Sequence, residues 1–151
     1  MNHVVEVALF LHLIAVVIWV GGMFFAHTCL RPAVSEIAPQ MRLPLWEGVL
    51  RRFFTWVSIS IGLLLISGGY LMGRFGGGQA PWPVHAMTGT GVVMMLIFGH
   101  IRFAMFPRLQ RAVQAEKWQD GAKALGTIRT MVSINLVLGV ITIALGVMGL
   151  V

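Results

Sequence analysis

The chain has 151 residues, 58% of them hydrophobic and 11% charged, with a mean hydropathy of +0.86. Soluble domains are nearer half apolar and a quarter charged, so a soluble globular enzyme is excluded and a single transmembrane domain over residues 1–151 is expected. The net charge of +6 needs no nucleic-acid partner, because ten of the eleven Lys and Arg residues lie at the ends of apolar stretches or between them, in a pattern that topology explains.

The first apolar stretch, Val4–Leu30, exceeds the roughly 20 residues that a spanning helix needs. Met1–Glu6 has no basic n-region, so the stretch is expected to be retained rather than cleaved as a signal peptide. It carries His12 and His27. Glu6 suits the first helical turn, where a carboxylate complements the helix dipole. Cys29, the single cysteine, rules out an internal disulfide and is expected as a small buried residue. Residues 31–52 follow as a basic loop with Arg31, Arg42, Arg51 and Arg52. The second span, Phe53–Met72, contains Ser60.

Gly73–Pro83 is a glycine-rich turn with Trp82 at headgroup level, and it holds Arg74, the one cation on that side. The third span, Val84–Phe106, carries His85 and His100. Residues 107–127 form a second basic loop, within which Arg108–Leu125 is amphipathic and expected to lie at the interface. The fourth span, Ile128–Val151, contains Asn135. The positive-inside rule places both basic loops in the cytoplasm of a bacterial-type inner membrane, with both termini outside.

Imidazoles inside hydrocarbon are functional candidates by default. His12 and His27 are fifteen residues apart, as are His85 and His100. On a helix that spacing rises about 22 Å and returns within about 60° of the same face. An offset of 73 residues superposes both pairs and aligns Phe25-Ala26-His27 with Phe98-Gly99-His100. The expected fold is therefore all-α, an integral membrane four-helix bundle built from a duplicated two-helix hairpin. Its two halves would be related by an axis along the membrane normal. That symmetry would level His12 with His85 and His27 with His100, with Val16, Trp19, Val20 and Met23 facing inward on one helix and Gly89, Val92, Val93 and Leu96 on the other.

Two bis-histidine pairs at two depths suit haem b, one or two groups, with Arg31 and Arg102 as partners for propionates. Such a chain would carry electrons across the membrane, as an oxidoreductase linked to quinone or to a redox partner protein. Copper is the alternative ligand, held by His12, His85 and soft thioethers such as Met87. A cofactor-free accessory subunit is the third reading, in which the histidines, Ser60 and Asn135 make only interhelical hydrogen bonds. Partners are the lipid bilayer and, as an open alternative, further copies of the chain. No phosphate loop, nucleophile triad or pair of catalytic carboxylates is present.

The run Leu11-His12-Leu13-Ile14-Ala15-Val16-Val17-Ile18-Trp19-Val20-Gly21-Gly22 resembles the CopD family, named for copper resistance. So do Arg51-Arg52-Phe53-Phe54, the His85…His100 span and Asn135-Leu136-Val137-Leu138-Gly139. The first span is also similar to HemJ-type protoporphyrinogen oxidases, a resemblance that implies a haem-serving role for His12. Those enzymes carry His-x-Lys in the third span. Here the stretch is His85-Ala86-Met87, so the resemblance does not carry that activity over. The twin spacings are similar to those of dihaem cytochromes b.

Overall fold

The computed structural model describes residues 2–149. Met1 and the last two residues of the expected fourth span, Leu150 and Val151, lie outside the described residues. Four helices are each long and apolar enough to cross a membrane: α1 (His3–Ala33), α2 (Pro39–Arg74), α3 (Trp82–Gln114) and α4 (Trp118–Met148). No strand occurs among the described residues. The protein is an all-α, multi-pass membrane bundle.

Local chemistry sets the ends. Asn2 caps α1 by accepting the Val4 N–H at 3.3 Å. Pro39 and Pro83 open α2 and α3 at first-turn positions, where a missing N–H costs nothing. Between α2 and α3 the chain reverses through Gly76 (φ 100°) and Gly77 (φ 57°), a left-handed pair that side chains resist. The helices run past the apolar spans. Residues 39–52, expected as loop, begin α2, and the amphipathic stretch is divided between the end of α3 and the start of α4. Leu109 and Ala112 bury its apolar face within the bundle rather than at the interface.

The first hairpin packs α1 on α2 and the second packs α3 on α4. Where they meet, Trp19, Phe98, Phe54 and Phe106 form a column of edge-to-face rings, with successive centroids 6.2, 5.5 and 5.2 Å apart. All four rings are buried.

The halves do repeat, but at an offset of 75 residues. A π-helical turn interrupts α1 at Ala26–Leu30 and α3 at Ile101–Met105. In both, the last N–H bonds five residues back, from Arg31 to Ala26 and from Phe106 to Ile101. A proline follows at once, Pro32 and Pro107. Widening the turn accommodates a ring that would clash with the carbonyl four residues earlier. Hydroxyl bonds to the helix backbone repeat at the same offset: Thr55 to Arg51 and Thr130 to Gly126, Ser58 to Phe54 and Ser133 to Arg129, Ser67 to Leu63 and Thr142 to Leu138.

The two-residue difference from the expected offset turns a helix by about 200°. The third-span stripe expected to face inward is exposed: Val92, Val93 and Leu96 lie on the outer surface, while Met94 and Phe98 form the core. His85 and His100 correspond to exposed Phe10 and Phe25, not to His12 and His27.

Two neighbouring glycines test the α1–α2 contact. A Cβ on Gly22 would overlap the Phe53 ring, whereas one on Gly21 meets nothing within 4 Å. Gly22→Ala is expected to destabilise the bundle by about 1–3 kcal/mol. Gly21→Ala is expected to be neutral or slightly stabilising through helix propensity. Thermal midpoints in detergent read both, and a matching fall in the two variants would contradict the contact.

Candidate functional site

His12 and His27 are half-buried and each reaches a serine on another helix. His12 Nδ1 lies 3.1 Å from Ser67 Oγ on α2, and His27 Nδ1 lies 3.2 Å from Ser133 Oγ on α4. Each serine has one hydroxyl hydrogen, and each already donates it to its own helix: Ser67 to Leu63 O at 2.6 Å, Ser133 to Arg129 O at 2.9 Å. The serines therefore act as acceptors, and the imidazoles donate from Nδ1. Donor counting thus assigns one tautomer to both neutral rings, with Nε2 carrying a free lone pair. A fixed Nδ1–H partner of this kind orients a histidine for ligation.

In the second hairpin Met87 occupies the place of His12, and Thr142 that of Ser67. With no N–H arriving from Met87, Thr142 instead meets Thr90 Oγ1 at 2.7 Å. The symmetry thus sets a thioether at the level of the first imidazole.

The expected pairs do not assemble within the chain. His85 and His100 are exposed, turned away from the faces on which α1 presents His12 and His27. Arg31 is exposed and lines a small cavity beside His27. Arg102 stacks over Phe103 and Phe106, at 5.6 and 5.7 Å, and is occupied there. Asn135 Nδ2 donates to Met94 O at 3.3 Å, an interhelical bond. Its Oδ1 and the Ser60 hydroxyl are buried without partners. Cys29 is exposed, contrary to expectation, on the widened turn of α1.

A haem does not fit these residues in one chain. Sites for ligands of that size take roughly 300–1,000 Å3. The cavity beside His27 is about 30 Å3. The larger one, about 280 Å3, is an open basic groove lined by Arg108, Arg111 and Lys117, with no histidine. Among the described residues no group of three or more His, Cys, Asp or Glu side chains could hold a metal.

Ser67, Ser133, Trp46 and Arg129 were not singled out as site residues by the sequence. The signal for Ser133 was present in Val57-Ser58-Ile59-Ser60 against Val132-Ser133-Ile134-Asn135, a match already at the offset of 75.

Fold and site define a four-helix membrane protein with two oriented imidazoles at opposite ends of one helix. The chain belongs to the CopD family, copper resistance protein D, whose model matches residues 47–148. An uncharacterized protein of Aquifex aeolicus (strain VF5) is 30% identical over 142 residues, covering 93% of this chain and 96% of its own. The family match begins within α2, so His12 and His27 lie outside it, although the Aquifex relative spans nearly the whole chain. No solved structure matches significantly.

Proposed function

We propose that this chain is a copper-handling membrane protein in which His12 presents Nε2 to a soft cation as cargo. The observation that supports it most is the Ser67 hydroxyl, whose committed hydrogen holds His12 with that lone pair free. Imidazole and thioether are donors that copper favours, and Met87 stands at the level of His12 in the other hairpin. Charge supports the same end. Near His12 the helix termini carry Glu6 against a single cation, Arg74, whereas His27 sits beside Arg31 and Arg129. A cation is favoured at the first level and opposed at the second. By the positive-inside rule the basic end is cytoplasmic and His12 lies toward the outside of a bacterial-type inner membrane. Between the two levels the aromatic column fills the core, so passage through the bundle would require those rings to move.

The test is metal analysis of the purified chain loaded with Cu(I) under reducing conditions, alongside a reduced-minus-oxidised visible spectrum. Stoichiometric copper is expected, and Ser67→Ala should weaken binding about 10–100-fold, as loss of an orienting partner does. Transmembrane electron transfer through haem b needs a second imidazole at each level, which one chain does not supply. A Soret band without copper would replace the copper reading with that one. Neither copper nor haem would leave an accessory membrane subunit.

A further inference from the structure

At the basic end the bundle holds buried N–H groups that have no acceptor. Trp46 is 3% exposed, and its Nε1 has no partner. Arg129 stacks over that indole, its guanidinium carbon 5.2 Å from the ring centroid, and its Nε is likewise buried and unpaired. Arg42 spends one Nη on the carbonyls of Ser35 and Ile37, at 2.9 and 3.3 Å, while its Nε is a third orphan. Trp46 and Arg129 line the 30 Å3 cavity together with His27 and Arg31. Room for one water is about 10–15 Å3, so the cavity admits a small polar group.

No carboxylate answers these cations. Among the described residues the only ion pair is His3–Glu6, at the far end of α1. Glu47, next to Trp46 in sequence, accepts from Gln110 at 3.2 Å instead. Arg31 and Arg42 both act on Arg129 as like charges. Three guanidiniums drawn together, with buried donors left over, raise the energy of the protein alone. A buried unsatisfied donor costs about 1–3 kcal/mol, more when charged. An oxyanion would satisfy the donors and neutralise the repulsion in one step, and guanidinium forks match phosphate geometry.

We propose that Trp46, Arg129, Arg31 and Arg42 form an oxyanion site that takes a phosphate group, delivered by an anionic phospholipid or by free phosphate. The site lies where α1, α2 and α4 approach the basic surface, the level at which lipid phosphates sit. Apart from its cations the cavity wall is apolar, Leu50 and Ile128 among its residues, so each charge–oxygen contact is made with little water to compete. The inference stands independently of copper at His12.

The experiment is native mass spectrometry of the full chain in a neutral detergent, titrated separately with phosphatidylglycerol, phosphatidylcholine and inorganic phosphate. Phosphatidylglycerol is expected to bind at least tenfold more tightly than phosphatidylcholine. Arg129→Gln should weaken it about tenfold, and Trp46→Phe, which removes one N–H and keeps the ring packing, severalfold. Arg108→Gln, on the open groove, should change it less than twofold. Inorganic phosphate binding with the same dependence on Arg129 and Trp46 keeps the oxyanion site and assigns its occupant to solution. Equal retention of both lipids with no phosphate bound would overturn the proposal. So would an Arg108→Gln loss equal to that of Arg129→Gln, because binding would then follow diffuse charge. If Arg129→Gln does not fold, Trp46→Phe against Arg108→Gln decides.

Discussion

Replacing His12 with alanine is expected to weaken copper binding by more than about 100-fold, beyond the loss from removing its orienting hydroxyl. The change deletes the donor atom itself. It also leaves Ser67 bonded to Leu63, so no buried hydroxyl is stranded and the fold should survive. His85→Ala is expected to leave binding unchanged, because that imidazole lies on the outer surface. The pair is measured together by titration of the purified variants with Cu(I). Equal losses would mean that the two rings converge on one ion, and the outward placement of His85 would be wrong.

Phe54→Ala is expected to be the most damaging core substitution. The ring is 1% exposed and meets three others, Phe53, Phe98 and Phe106. It thereby joins α2 to α3 at the point where the two hairpins meet. In lipid the association of helices rests on packing rather than on expulsion of water, so the lost contacts and the cavity dominate the cost. About 3 kcal/mol is expected, the lower end of the range for buried Phe→Ala changes. Phe54→Leu should recover much of it. Thermal unfolding in detergent distinguishes the outcomes, and a Phe54→Ala midpoint equal to that of the wild type would show that the column carries no load.

Composition and spacing made the membrane class, the four helices and the repeat legible. Hydropathy survives any error in helix rotation. The facing of α3 does not survive one, since each residue of slip turns the helix by about 100°. Histidine coincidences suggested an offset of 73, while the serine runs of the second and fourth spans already stood at 75. The serines were the better guide because their hydroxyls bond to the helix backbone and so keep their place on a face. Tautomers were illegible for another reason: they depend on Leu63 and Arg129 carbonyls that no side-chain pattern reveals. The orphaned Trp46 and Arg129 donors were hidden likewise, since a basic loop in sequence gives no sign of which cations lack a counter-charge.

The widened turns divide α1 and α3 into two separately adjustable lengths. Removing one residue from 26–30 would restore ordinary winding and swing everything beyond by about 100°. Arg31 would leave the neighbourhood of Arg129, while His12, four turns earlier, would keep its place on α2. The fold thus lets one end of a helix be re-aimed without disturbing the chemistry at the other.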